Sequence, residues 1–249
     1  AVAVCRAVGY RNVGAVRFAL VGETFYVTGV DARLQLEPAL TEEVCGIDLV
    51  DLRLRLAAGG RLEGDAPNGN GHAVLVRLLA EDPLDGFRAT PGRVALLALP
   101  AGAGVRVDAG VRVGDTISAA YEPLLATTTA WGRDRAEAMA RLRRALERTS
   151  VVVEGGSTDS SFLLAVLDAE AVQAGPVDDA WLDGFVARDG HVPAPNPMAV
   201  VAAAIAAYDA DAAQAQAAFL ARATRGRPEQ PQQDGDRIVL GYRGTVYPV

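Results

Sequence analysis

Between residues 72 and 128, short apolar runs are cut repeatedly by turn-forming residues. The breaks fall at Pro83-Leu84-Asp85-Gly86, at Thr90-Pro91-Gly92 and at Pro100-Ala101-Gly102. Proline cannot donate to a backbone ladder, and glycine supplies the positive φ that tight turns require, so no long helix can run through this stretch. It is expected to fold as short antiparallel strands, and the rest of the chain must cover them.

The flanking patterns supply that cover. Residues 2–10 read as a helix stopped by Gly9, and strands are expected at 14–21 and 24–30, joined at Gly22-Glu23. Thr41-Glu42-Glu43 opens a helix whose apolar face is Val44, Ile47, Leu49, Val50, Leu52, Leu54 and Leu56, ended by Gly59-Gly60. Turn chemistry fills 65–71. A helix over 133–148 carries acids early and arginines late, as the macrodipole favours, and a strand follows at 150–153. Ser157-Thr158-Asp159 is expected to cap a helix over 160–168, with another short helix near 178–187. Pro193, Pro195 and Pro197 make 191–197 the best linker, where His191 is expected to be solvated. Beyond it lie a long helix over about 198–223, a polar stretch at 225–236 and two strands, 237–242 and 245–249. The fold class is α+β, a mostly antiparallel sheet with helices followed by a long helix and the start of a β-rich domain. Residues 1–190 form one domain, and 191–249 the linker, the helix and part of a second.

Composition narrows the chemistry. The chain has 249 residues and a formal net charge of −7, which argues against a nucleic-acid or anionic-membrane surface. Its basic side chains are all arginine. Without lysine there is no Schiff base, no P-loop lysine and no attachment point for biotin. Two cysteines, Cys5 and Cys45, exclude a disulfide scaffold and suit a reducing cytoplasm. No apolar run approaches the roughly 20 residues of a membrane span. The chain opens on Ala1 inside an amphipathic pattern, and is expected to be a piece of something longer.

Phe25-Tyr26, Arg33-Leu34-Gln35-Leu36-Glu37, Thr41 to Val50 and Leu54 to Gly59 together resemble the C-terminal region of biotin carboxylase, the ATP-grasp component of acyl-CoA and pyruvate carboxylases. The resemblance continues in order through Gly71-His72-Ala73-Val74, Arg77, Ala80-Glu81-Asp82-Pro83, Gly104 to Asp108, Tyr121 to Ala126 and Trp131-Gly132-Arg133, covering about residues 1–187. The remainder looks like the entry to the domain that bridges carboxylase to carboxyltransferase. The resemblance implies ATP-dependent carboxylation of biotin by bicarbonate, through carboxyphosphate.

Carried over by position, Arg33 and Glu37 become the catalytic pair. Arg33 would hold bicarbonate and stabilise the biotin enolate, and Glu37 would deprotonate bicarbonate. Gln35 and the backbone N–H of Leu36 would help hold the anion. Strand-like alternation would put Arg33, Gln35 and Glu37 on one face, which equally describes a solvated edge strand. Arg77 matches an arginine near the biotin ureido oxygen, or is simply an outward strand arginine. Arg106 matches a position near the family's dimer interface, and His72 looks structural.

The departures are sharper than the matches. The resemblance implies two acidic ligands for Mg²⁺ beside the ATP phosphates, yet those positions here hold Arg17 and Gly29, with Asp31 a weak substitute. A family histidine is Pro38 and a family lysine is Thr127. No metal ligand is therefore assigned. Two functions stay open. In one the chain is part of the biotin carboxylase component of a biotin-dependent acyl-CoA carboxylase, not competent alone. In the other it is a non-catalytic domain serving assembly or carrier docking. ATP, magnesium and carrier-borne biotin are the implied cofactors. The implied partners are the biotin carrier and carboxyltransferase, the N-terminal ATP-grasp segment and further copies of the chain.

Overall fold

The computed structural model describes residues 1–64, 67–192, 196–223, 226, 239–242 and 245–248. The chain divides into two compact units, Ala1–Val192 and Pro193–Val249. The expected turn at 65–66, the prolines at 193 and 195, most of 225–236 and the Arg243-Gly244 turn lie outside the described residues.

In chain order the first unit holds α1 (Val2–Ala7), β1 (Ala15–Val21), β2 (Thr24–Asp31), α2 (Pro38–Cys45), α3 (Leu49–Ala57), β3 (His72–Leu79), β4 (Glu81–Asp82), β5 (Arg88–Ala89) and β6 (Gly92–Ala98). It continues with β7 (Val105–Ala109), β8 (Thr116–Ile117), β9 (Leu124–Gly132), α4 (Arg135–Glu147), β10 (Ser150–Val153), α5 (Ser160–Asp168), α6 (Glu170–Ala174) and α7 (Asp179–Ala187). The second unit holds α8 (Pro197–Ala223) and the antiparallel pair β11 (Val239–Tyr242) and β12 (Thr245–Pro248).

The expected short antiparallel strands between 72 and 128 are present. They form two open three-stranded sheets, ordered β3-β9-β7 and β10-β6-β8, beside the small β4-β5 ladder. As a central strand, β9 buries six consecutive residues, Leu125 to Ala130. Its threonines suit that place because β-branched side chains fill a pleated surface. Asp134 caps α4 by accepting the Glu137 N–H at 2.8 Å, and the helix lays Met139, Leu142 and Leu146 against Ala130, Leu167 and Val172. A second cluster joins Leu78, Ala80, Val94, Ile117, Leu125 and Val153.

Four expectations need correction. The helix expected from Thr41 to residue 58 is two helices. Gly46 takes φ 64° and ends α2, and Asp48 opens α3 by accepting the Asp51 N–H. The short α6 was not anticipated. Asp159 stands at the start of α5 but does not cap it, and instead accepts the Leu79 N–H of β3 at 2.9 Å. His191 is not solvated. It is 5% exposed, its Nε2 lies 3.1 Å from the Pro83 carbonyl, and its ring packs against Phe87 and Phe162. Contact with these two rings and with the Pro83 carbonyl keeps the histidine in the interior.

Burial pushes the Asp159 carboxyl up to about 7, the nearby charge of Glu81 adding to the effect. The folded state therefore holds this proton more tightly than the unfolded chain. Stability falls as pH rises between the ordinary value of 3.8 and about 7, by roughly 4 kcal/mol in all, and is level above that. Asp159→Asn keeps an acceptor for Leu79 and removes the buried charge. It should raise the melting temperature at pH 8, with the gain vanishing by pH 4. Leu142→Ala, at a fully buried site, should cost about 2–5 kcal/mol by denaturant titration.

Candidate functional site

The β1-β2 hairpin turns at Gly22, with φ 60°, and pairs Ala15 with Asp31 at its open end. Arg17 is the Cα partner of Gly29, but Phe18 is the partner of Val27, so Thr28 forms a bulge beside this pair. From Asp31 the chain passes without regular structure to Pro38, the first residue of α2. Residues 33–37 are thus not the strand that alternation suggested. A proline cannot extend a ladder, and it fits the first turn of a helix, where its missing N–H would be unsatisfied in any case. Glu37 precedes it at φ −66° and ψ −20°, a helical conformation that residues before proline usually avoid.

Hairpin and connection together wall a cleft of 860 Å³, lined among others by Arg17, Asp31, Arg33, Gln35, Glu37 and Thr41. Three of the expected site residues, Arg33, Gln35 and Glu37, are therefore brought together by the shape of a loop, not by one face of a strand. Leu36 is exposed and does not line the cleft. Arg77 reaches its edge from β3, where its Nη2 pairs with Glu37 Oε1. The hydrogen bond from its own backbone N–H, followed by the charge of Arg77, holds the Glu37 carboxyl below the usual carboxylate range. It is ionised at neutral pH, as a proton acceptor must be.

Below the cleft, Glu42 on α2 joins three elements. It accepts the Leu49 N–H at 2.7 Å and pairs with Arg106 of β7 at 2.5 Å, and Arg106 also binds Asp108 at 2.8 Å. Arg106 therefore fastens α2 to the sheet. Sequence reading saw Glu42 only as part of a helix start. Its partners lie 7 and 64 residues away, and no local signal could have named them.

At the positions where the resemblance implies metal ligands, Arg17 Nε lies 2.9 Å from Asp31 Oδ2, with the Arg17 side chain 66% exposed and that of Asp31 23%. These residues do not fit a divalent cation. The one carboxylate is already paired, Gly29 offers no side chain, and an ion of charge +2 about 4 Å from the guanidinium is opposed by about 2 kcal/mol even at the dielectric of water. Among the described residues no group of three or more His, Cys, Asp or Glu side chains could hold a metal.

Residues 75–184 match the biotin carboxylase C-terminal domain, and residues 1–64 match the ATP-binding domain of the carbamoyl-phosphate synthase L chain. Biotin carboxylase 2 of Bacillus subtilis is 36% identical over 185 residues, which are 73% of this chain and 41% of that one. The alpha chain of the mitochondrial methylcrotonoyl-CoA carboxylase of Glycine max is 34% identical over 205 residues, 80% of this chain and 28% of that one. The chain thus spans well under half the length of such relatives. Among solved structures, the biotin carboxylase domain dimer of the Hydrogenobacter thermophilus 2-oxoglutarate carboxylase, in complex with MgADP, ADP and bicarbonate, superposes with a TM-score of 0.72 at 27% identity. It covers 77% of this chain and 42% of that one. The biotin carboxylase component of a pyruvate carboxylase gives the same TM-score at 26% identity, with the same shares covered. Order of motifs, open antiparallel sheets and superposition agree: the chain belongs to the biotin carboxylase family and carries the C-terminal part of its ATP-grasp fold.

Proposed function

We propose that this chain provides the bicarbonate- and biotin-facing part of the biotin carboxylase component of a biotin-dependent acyl-CoA carboxylase. The observation that carries the reading is the convergence of Arg33, Gln35 and Glu37 on one cleft, with Arg77 paired to Glu37 at its edge. Arg33 and Gln35 hold bicarbonate, and Leu36, which does not line the cleft, has no part in it. Glu37 takes the bicarbonate proton, and its pairing with Arg77 keeps it in the form that can accept one. Carboxyphosphate breaks its C–O bond to give carbon dioxide and phosphate. The phosphate takes the proton of the biotin ring nitrogen as that nitrogen bonds to the carbon, and the Arg33 guanidinium offsets the negative charge that builds on the ureido oxygen. No phosphoryl-transfer step is assigned to Arg17, Gly29 or Asp31.

The partners follow from the same reading. The β1-β2 hairpin exposes Leu20, Val21, Phe25, Tyr26 and Val27, an apolar surface suited to the N-terminal ATP-grasp segment. Biotin arrives on a separate carrier, carboxyltransferase takes the carboxyl group onward, and residues 191–249 form the linker and bridging region. Arg106 lies where copies of the chain associate. No helix of the described residues is long and apolar enough to cross a membrane, in keeping with a cytoplasmic enzyme.

One observation favours a second reading. Arg17 and Gly29 replace both implied metal ligands, which suits a non-catalytic domain that docks the carrier or supports assembly. Biotin- and bicarbonate-dependent ATP hydrolysis by the full protein separates the two. Turnover supports the carboxylase, and carrier binding without turnover supports the docking domain.

Arg33→Ala should weaken binding of the biotinylated carrier about tenfold or more, the loss of a charge-assisted hydrogen bond, with an unchanged melting temperature. Unchanged carrier affinity in that variant would remove Arg33 from the site. Arg77→Ala breaks a half-exposed pair and should cost less than about 1 kcal/mol in stability. Its deprotonation-linked activity profile should move to higher pH, because Glu37 loses the cation that depresses it.

A further inference from the structure

Arg17 and Gly29 face each other across the hairpin, and they fit each other. The three nearest atoms that a Cβ at position 29 would meet all belong to Arg17: Nη2 at 2.9 Å and Cζ and Nε at 3.3 Å. The guanidinium lies over Gly29 because nothing projects from it. Asp31, two residues further along β2, then anchors Arg17 through Nε at 2.9 Å, with Nη2 at 3.4 Å from the other carboxylate oxygen. The two residues are matched in shape. The arginine fills the room that the glycine leaves, and the remaining carboxylate is used to place the arginine.

We propose that Arg17 stands in for the divalent cation, and that the cleft binds a polyphosphate or similar small oxyanion without a metal ion. Both carboxylates that line the cleft are already neutralised, Asp31 by Arg17 and Glu37 by Arg77. Arg33 lines the same cleft and has no carboxylate partner among the described residues, so one positive charge is left over. The Nη1 donors of Arg17 are likewise uncommitted among the described residues, and its side chain is open to solvent. A planar guanidinium presents paired donors that match two oxygens of a phosphate, whereas a metal ion would need carboxylates that are absent or occupied here. The inference rests on the reading of this cleft as the anion-facing site, given above.

The test is calorimetric titration of the full chain with sodium pyrophosphate, once in EDTA and once in excess magnesium, beside Mn²⁺ titration followed by the free-ion electron paramagnetic resonance signal. Pyrophosphate should bind in EDTA. Arg17→Gln should lower that affinity about tenfold, and Arg17→Glu more, both variants keeping the circular dichroism of the parent. The unmodified chain should leave the Mn²⁺ signal intact, and the double variant Arg17→Glu, Gly29→Glu should quench it by supplying two carboxylates. Pyrophosphate binding that appears only with magnesium overturns the inference and leaves the cleft as an anion site. Absence of binding in both buffers overturns the cleft reading together with the inference. Mn²⁺ uptake by the unmodified chain that Asp31→Asn abolishes also overturns the inference.

Discussion

The β3-β9 ladder is the constraint on which the rest of the first unit depends. It runs from His72 opposite Gly132 to Leu79 opposite Leu124, and it sets β9 between β3 and β7. Both apolar clusters include residues of this ladder, Leu78 and Leu125 in one and Ala130 in the other. α4 and the sheet share the Ala130 cluster, so the helix cannot shift without opening it. The ladder also fixes the site from a distance. It holds Arg77 opposite Thr127, at the point on β3 from which the guanidinium meets Glu37. A slip of one residue would turn Arg77 to the opposite face and strand Glu37.

Around the cleft, the charges form a set in which each carboxylate has an assigned cation. Arg77 holds Glu37, Arg17 holds Asp31, and Arg106 holds Glu42 beneath. The exposed Arg77–Glu37 pair adds little to stability. The consequence of the pairs is positional: they fix which groups face the cleft and leave Arg33 as the cation available to an incoming anion. Membership of the biotin carboxylase family therefore comes with an altered electrostatic layout at the hairpin, and the two facts belong to different parts of the chain. The sheets carry the family fold, while the hairpin presents a guanidinium, Arg17, held against Gly29 by Asp31.

Much of this was legible in the residue order. Turn residues spaced the strands between 72 and 128, charge asymmetry marked α4, and the motif series from Phe25 to Trp131 identified the family. Local rules failed where a distant group decided the outcome. Alternation at 33–37 suggested a strand, but Pro38 starts a helix and pulls Glu37 into a helical conformation. Gly46 and Asp48 are ordinary stop and start signals that a continuous apolar periodicity masked. His191 is buried by two phenylalanines 104 and 29 residues earlier, which no linker composition could reveal. Asp159 was placed correctly at a helix start, yet its side chain serves β3. The Arg17–Gly29 exchange was visible as a loss of ligands. That it is a matched pair became visible only once the hairpin register set the two residues opposite each other.

A fixed guanidinium in the place of a metal ion can be told from a metal site by where an anion and a cation settle in the cleft. A crystal structure of the full chain grown with both Mn²⁺ and pyrophosphate, with data collected at the manganese edge, makes that distinction directly. Pyrophosphate oxygens should lie on Arg17 and Arg33, with no anomalous peak beside Asp31. An anomalous peak coordinated by the Asp31 carboxylate, with Arg17 swung away from Gly29, would contradict that arrangement.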